Sequence, residues 1–189
     1  MINDTAELWI IVALAALLIG TVVAIATSRR RSRRRSAELQ RQFGPEYDRA
    51  VEEHGSPARA ERALAARARR VQHFQFHALD AATRARFSSE WSRIQTQFVD
   101  DPAVAVASAD ELINQVMRAQ GYPTDDFEQR VADLSVEHPA VVQHYRAAHQ
   151  LSESKNNGLN TEDLRQAVVH YRVLFSDLLQ EPSAPVFHS

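Results

Sequence analysis

A run of twenty residues without a charged side chain, from Leu8 to Thr27, constrains this chain more than any other feature. At ~1.5 Å rise per residue, a helix over this run is about as long as the ~30 Å hydrocarbon core of a bilayer. The alternative is a cleaved signal peptide, for which Ala24-Ile25-Ala26 offers suitably spaced small residues. Signal peptides carry positive charge before a shorter apolar core. Because the leading flank here is acidic and the basic residues follow, the run predicts a transmembrane helix.

Arginines follow the run at once and determine its expected orientation. The positive-inside rule assigns short basic flanks to the cytoplasmic side of a membrane. We therefore expect a single-pass protein of the cell membrane, with its N-terminus outside and its C-terminal domain in the cytoplasm. The arginines expected at the membrane surface are Arg29, Arg30, Arg31, Arg33, Arg34 and Arg35.

The rest of the chain has the composition of a helical domain. It contains few glycines and no cysteine, so disulfides are excluded and stability must come from an apolar core. No segment alternates apolar and polar residues for long enough to predict a strand. These features predict an all-α fold, in which the transmembrane helix is followed by a small irregular helical bundle.

Changes in charge and helix-breaking residues predict four regions. They are an anchor with its basic run at 1–36, a basic membrane-proximal helical segment at 37–79, an acidic helical bundle at 80–181 and a disordered tail at 182–189. The second and third regions differ strongly in charge. The formal charge is +7 over residues 29–72, from thirteen arginines and six acids, and −7 over residues 73–189, from nine bases and sixteen acids.

The segment from Pro57 to Gln72 predicts a basic amphipathic helix. At ~100° per residue, Leu64, Ala68 and Val71 share one face. The arginines of the other face can contact anionic lipid headgroups of the cytoplasmic leaflet, or they can solvate the outside of a helix that packs inward. The two interpretations are compatible because they use opposite faces. These membrane-surface candidates are Arg59, Arg62, Arg69 and Arg70.

Apolar residues spaced three and four apart predict two core-facing helices. Their apolar residues are Phe87, Trp91, Ile94 and Phe98 in one, and Leu164, Val168, Tyr171, Phe175 and Leu178 in the other. Capping residues and prolines predict where helices start. The expected starts are at Ser56-Pro57, Asp80, Asp101-Pro102, Thr124, Pro139 and Thr161, and Gly121 is an expected C-terminal cap.

Two later segments share the tripeptide His-Tyr-Arg, beginning at His144 and His170. If their helices pair, the two imidazoles can meet as metal ligands. The simpler interpretation is that Tyr145 and Tyr171 are core aromatics beside exposed histidines.

Other functional motifs are absent or have a structural explanation. The acid pairs Asp100-Asp101, Asp125-Asp126 and Glu162-Asp163 lie at expected helix starts, where carboxylates cap exposed N–H groups. No glycine-rich phosphate loop occurs. The arginine run lacks the interleaved aromatics of a nucleic-acid interface. We therefore predict no catalytic residue, no cofactor and no nucleic-acid partner.

Four stretches resemble a group of uncharacterised bacterial proteins with one N-terminal span and a helical cytoplasmic domain. The resemblance implies a shared helical domain and brings no activity, cofactor or catalytic residue. The stretches are FGPEYDRAVEEHG, FVDDPAVAVASADELINQVMRAQGYP, DDFEQRVADLSVEHPAVVQHYRAAH and TEDLRQAVVHYRVLF.

The leading hypothesis is a non-enzymatic, membrane-tethered interaction module at the cytoplasmic membrane face. Its expected partners are the lipid bilayer, anionic lipid headgroups and a protein whose identity the sequence does not give. The alternative is a small membrane-associated enzyme or metal-binding protein that uses His144 and His170.

Overall fold

The computed structural model describes residues 3–123, 126–153 and 160–180, and within residues 3–43 it describes the side chains of 14, 17–28, 30–31 and 34–43. These residues form α-helices and no β-strand, so the predicted all-α class is confirmed. The predicted disordered tail at 182–189 lies outside the described residues. The helices are α1 (Asn3–Phe43), α2 (Pro45–His54), α3 (Pro57–Val71), α4 (Ala81–Asp100), α5 (Pro102–Gln120), α6 (Phe127–Glu137), α7 (Val142–Glu153) and α8 (Thr161–Leu179).

The chain divides into two compact units, Met1–Arg41 and Gln42–Ser189. The first unit contains all but the last two residues of α1, and this helix continues without a break through the charge-free run. Its described large apolar side chains within the run are 52% to 68% exposed, and they are Leu14, Leu17, Leu18, Ile19, Val22, Val23 and Ile25. Judged on the described residues, no helix combines the length and apolar character needed to cross a membrane. The run is therefore helical, and its passage through a bilayer stays a prediction.

Several helix boundaries of the second unit follow the predicted signals. Asp80 accepts a hydrogen bond from the Thr83 N–H at 2.6 Å, and Asp101 accepts one from Val104 at 3.1 Å. Each carboxylate thereby satisfies one of the unpaired N–H groups of a helix start. The prolines of α2, α3 and α5 occupy first-turn positions, where the missing N–H has no cost.

Gly121 ends α5 in a conformation that other residues rarely adopt. Its φ is +95°, and a Cβ at this position would lie 2.1 Å from the Gln75 carbonyl oxygen. Both the backbone angle and the close approach of residue 75 therefore require glycine.

Three predicted helix starts differ from the structure. Asp126 caps α6 through Gln129 N–H at 2.9 Å, whereas Thr124 lies outside the described residues. Asn160, one residue before the expected Thr161, caps α8. Helix α7 begins at Val142 rather than Pro139, because His138 to Val141 form a turn first. Neighbouring residues with capping side chains make such shifts difficult to predict.

The main core is built from helices α4 to α8. Trp91 and Phe175, one from each predicted core-facing helix, stack with ring centroids 4.8 Å apart. Tyr145 and Tyr171 are fully buried, which confirms that they are core aromatics. Phe98 and Val168 are only partly buried at the edge of this core.

Helices α2 and α3 pack on each other, and α3 also packs on α6. Leu64 and Val71 of α3 are buried and Ala68 is partly buried, as the amphipathic pattern predicts. No residue of α2 or α3 belongs to the main core cluster of buried residues. Ion pairs described with the candidate site also join α3 to α6 and α2 to α7.

Candidate functional site

The predicted membrane-surface arginines lie in two helices. Those after the charge-free run are in α1, where Arg30, Arg31, Arg34 and Arg35 are exposed and the side chains of Arg29 and Arg33 lie outside the described set. In α3, Arg59, Arg62 and Arg69 are exposed. These exposed guanidinium groups are accessible to an anionic surface.

Arg70 of α3 is also predicted to lie at the membrane surface, but it pairs with a carboxylate of another helix. Its Nε donates to both carboxylate oxygens of Asp133 in α6, at 3.1 and 3.2 Å. The Asp133 side chain is only 2% exposed, against 42% for Arg70. Gln129 also donates to Asp133, at 2.8 Å. Burying a charge is costly unless it is paired and hydrogen-bonded, and these contacts supply both. Arg70 therefore joins α3 to α6 as well as contributing to the basic face.

A second buried carboxylate, Glu46 of α2, was not found by sequence reasoning. It is 1% exposed. Its Oε1 accepts hydrogen bonds from Arg146 Nη1 and from Gln143 Nε2, both in α7. Its Oε2 lies 4.0 Å from Arg67 Nη1 of α3. Arg146 is a hundred residues from Glu46 along the chain, and no local pattern around Glu46 indicates that it is buried.

The histidines that begin the two His-Tyr-Arg tripeptides meet across the α7–α8 contact. His144 Nδ1 and His170 Nδ1 are 2.8 Å apart, with ring centroids separated by 5.0 Å. A hydrogen bond at this distance requires one neutral Nδ1 acceptor, so the two rings cannot both be protonated without losing it. Partial burial, and then the proximity of His144, lower the pKa of His170.

Two further histidines, His138 and His149, lie near the imidazole pair in the sequence and make other contacts. His138 Nδ1 lies 2.5 Å from Asp177 Oδ2. His149 stacks on Phe127 at 3.6 Å between ring centroids. Within the part of the chain that the structure describes, no group of three or more metal-ligating side chains converges. The imidazole pair is therefore a site with two protein ligands at most.

Three members of the acid pairs, Asp101, Asp126 and Glu162, make local contacts in the described residues. Asp101 and Asp126 cap α5 and α6, and Asp125 lies outside the described residues. Hydrogen bonds from Arg165 lower the pKa of the exposed Glu162 to about 2. These contacts give the carboxylates structural roles.

The hydroxyl groups of Tyr145 and Tyr171 take part in a set of partly buried hydrogen bonds. Tyr171 donates to Asp110 Oδ1 at 2.9 Å, and Asn114 donates to Asp110 Oδ2 at 3.3 Å. Arg130 donates to the Tyr145 hydroxyl at 3.1 Å. Burial raises the pKa of Tyr145 to about 12. Both phenols therefore stay protonated at neutral pH and serve as hydrogen-bonding groups of the core.

Comparisons with protein-family models, with characterised proteins and with solved structures find no match for this chain. Any function must therefore be argued from the geometry of its own residues.

Proposed function

We propose that this chain is a single-pass membrane protein whose helical second unit acts as a non-enzymatic interaction module at the cytoplasmic face. The observation that carries the proposal is the exposure of large apolar side chains along α1, within a run that has no charge. Exposed apolar patches on soluble proteins are small, and a lipid environment removes the cost of this one. The helical state of α1 supports the proposal because a helix satisfies its own backbone hydrogen bonds.

The proposed orientation depends on the arginines from Arg29 to Arg35. A reporter that is active only in the cytoplasm should work when it is fused after Ser189, and the protein should stay in the membrane fraction after alkaline extraction. Activity only of a reporter that requires export would reverse the orientation. Release by alkaline extraction would exclude the span.

Anionic lipid headgroups are the proposed partners of the exposed arginines of α3. Each arginine near an anionic leaflet gains about 1 kcal/mol, and the tether raises its local concentration. Because Arg70 is paired with Asp133, the informative variant changes Arg59, Arg62 and Arg69 to Gln and keeps Arg70. The matched control changes three exposed arginines of α4 and α8, which are Arg86, Arg93 and Arg172.

The test is binding of residues 37–189 to vesicles with and without anionic lipid, at low and physiological salt. We expect salt-sensitive binding that only the α3 variant loses. Equal binding by the two variants would show that the arginines of α3 only solvate their helix.

A second candidate function is metal binding by His144 and His170, favoured by their 2.8 Å approach. Nitrogens at this separation can both lie ~2.0–2.1 Å from one ion such as Zn²⁺, at roughly a right angle. Metal analysis of the purified protein should then find an ion that both His144→Ala and His170→Ala lose. The exposed His73→Ala is the control. Absence of stoichiometric metal in all four proteins would leave the pair as a hydrogen bond.

A further inference from the structure

A cavity of about 350 Å³ in the second unit is lined by residues of α2, α3, α6 and α7. Its volume is at the lower end of the range for small-molecule sites, roughly 300–1,000 Å³. Its lining is dominated by charged side chains, which are Arg49, Glu53, Arg67, Asp126, Glu128 and Arg146.

The least exposed charges of this cavity are two arginines. The Arg146 side chain is 10% exposed and that of Arg67 is 18% exposed. Both lie against Glu46, which gives this inner group a formal charge of +1. Arg67 approaches Glu46 Oε2 no closer than 4.0 Å, so its guanidinium retains hydrogen-bonding capacity for another acceptor.

The polar contacts of the inner group are also incomplete. Among the described residues, neither Arg146 Nε nor Glu46 Oε2 has a hydrogen-bond partner, although both atoms are buried. Buried polar atoms in native proteins nearly always have a protein or ordered partner. Arg146, which lines the cavity, therefore keeps one N–H donor, on Nε, that no described protein group accepts from.

The net charge of the residues at the cavity mouth has the opposite sign. Arg49, Glu53, Asp126 and Glu128 are all exposed, and their formal charges sum to −2. An anion that enters must pass these carboxylates, whereas a cation that passes them meets the inner arginines. A ligand with an acidic group at one end and a basic group at the other matches both parts.

We propose that this cavity binds a small zwitterion, with its carboxylate held by Arg67 and Arg146 and its ammonium group among the carboxylates of the mouth. The planar guanidinium group binds a carboxylate through two parallel N–H donors. Partial burial strengthens this contact because fewer water molecules screen it. The proposal is independent of the membrane tether and of the histidine pair.

Three probes with the same four-carbon chain test both ends of the ligand. They are 4-aminobutyrate, butyrate and butylamine, titrated by calorimetry into the purified full-length protein at concentrations up to about 10 mM, where millimolar binding is measurable. We expect 4-aminobutyrate to bind about tenfold more tightly than butyrate, and butylamine not to saturate. Equal affinity for butyrate and 4-aminobutyrate, or no saturable binding, would overturn the proposal.

Substitutions in the cavity test separately how the carboxylate and the ammonium group of the ligand are bound. Arg67→Gln should weaken 4-aminobutyrate binding by about tenfold or more, since a hydrogen bond to a charged group is lost. The exposed pair Glu53→Gln and Glu128→Gln should reduce its affinity to that of butyrate. Arg62→Gln, an exposed change on α3 outside the cavity, is the control and should bind normally. Unchanged affinity in either the Arg67 or the double variant would overturn the assignment. The exposed double variant supplies the decisive result if Arg67→Gln does not fold.

Discussion

The same residue types have opposite environments in the two units. In α1, Leu17, Leu18 and Ile19 are between 62% and 68% exposed, whereas Leu112 and Ile113 of α5 are at most 2% exposed. Both segments are helical, so helix formation does not distinguish them. The distribution of apolar residues around the helix axis accounts for the difference in burial. The apolar stripe of α5 packs on neighbouring helices, whereas the apolar side chains in the charge-free run of α1 surround the helix axis and are exposed.

The largest loss of stability in this comparison of exposed and buried apolar side chains is expected at the Trp91–Phe175 stack. Because both rings lie in the core, Trp91→Ala or Phe175→Ala should lower the free energy of unfolding of the second unit by about 3 to 5 kcal/mol. Urea unfolding followed by far-UV circular dichroism measures it. Leu18→Ala in α1 is the control and should leave this transition unchanged. A loss of only a few tenths of a kcal/mol at Phe175 would mean that the ring is not a core residue.

We expect the ion pair between Glu46 and Arg146 to hold α2 to the bundle. Glu46→Gln leaves a buried arginine without its counter-ion, and breaking a buried pair costs about 3 kcal/mol or more. Adding Arg146→Met removes the more deeply buried of the two arginines that Glu46 faces, and it should restore part of the loss. Additive destabilisation in a double-mutant cycle of the two changes would show that the groups are not coupled.

Structural features with a local signal could be predicted from the sequence. The caps at Asp80 and Asp101 lie within three residues of the N–H groups that they bind. Amphipathic spacing likewise identified Leu64 and Trp91 as inward-facing. Such features are determined by the helix period, which any single sequence displays.

Contacts between distant segments could not be predicted in the same way. Glu46 and Asp133 are ordinary acids in their local sequence, and their burial depends on arginines of other helices. The His144–His170 contact was anticipated only as an alternative, because the shared tripeptide gives a common phase without showing that the helices pair. The charged cavity had no local signal because four helices contribute its lining.

A smaller effect is expected at the start of α5. Asp101→Ala removes the acceptor for the Val104 N–H and should cost about 1 kcal/mol of stability. Asp101→Asn keeps an acceptor oxygen and should recover most of that loss. The measurement is again urea unfolding of the second unit. An equal loss in both variants would mean that the charge, rather than the hydrogen bond, stabilises this helix start.

The smallest effect concerns His170, whose pKa is lowered by partial burial and by His144. In the unfolded chain a histidine titrates near pH 6.5, about the ordinary value. Since the folded pKa is lower, the unfolded state binds more protons between the two values, and stability falls as the pH is lowered through that window. Above the ordinary histidine pKa this effect disappears.

The His170 ring resonance, followed by NMR against pH in folded and urea-unfolded protein, should titrate at lower pH when folded. His144→Ala should narrow the difference between the folded and unfolded pKa of His170 without removing it, because burial is the larger cause of the lowered pKa. Identical titration in the two states would show that the imidazole contact does not persist in solution.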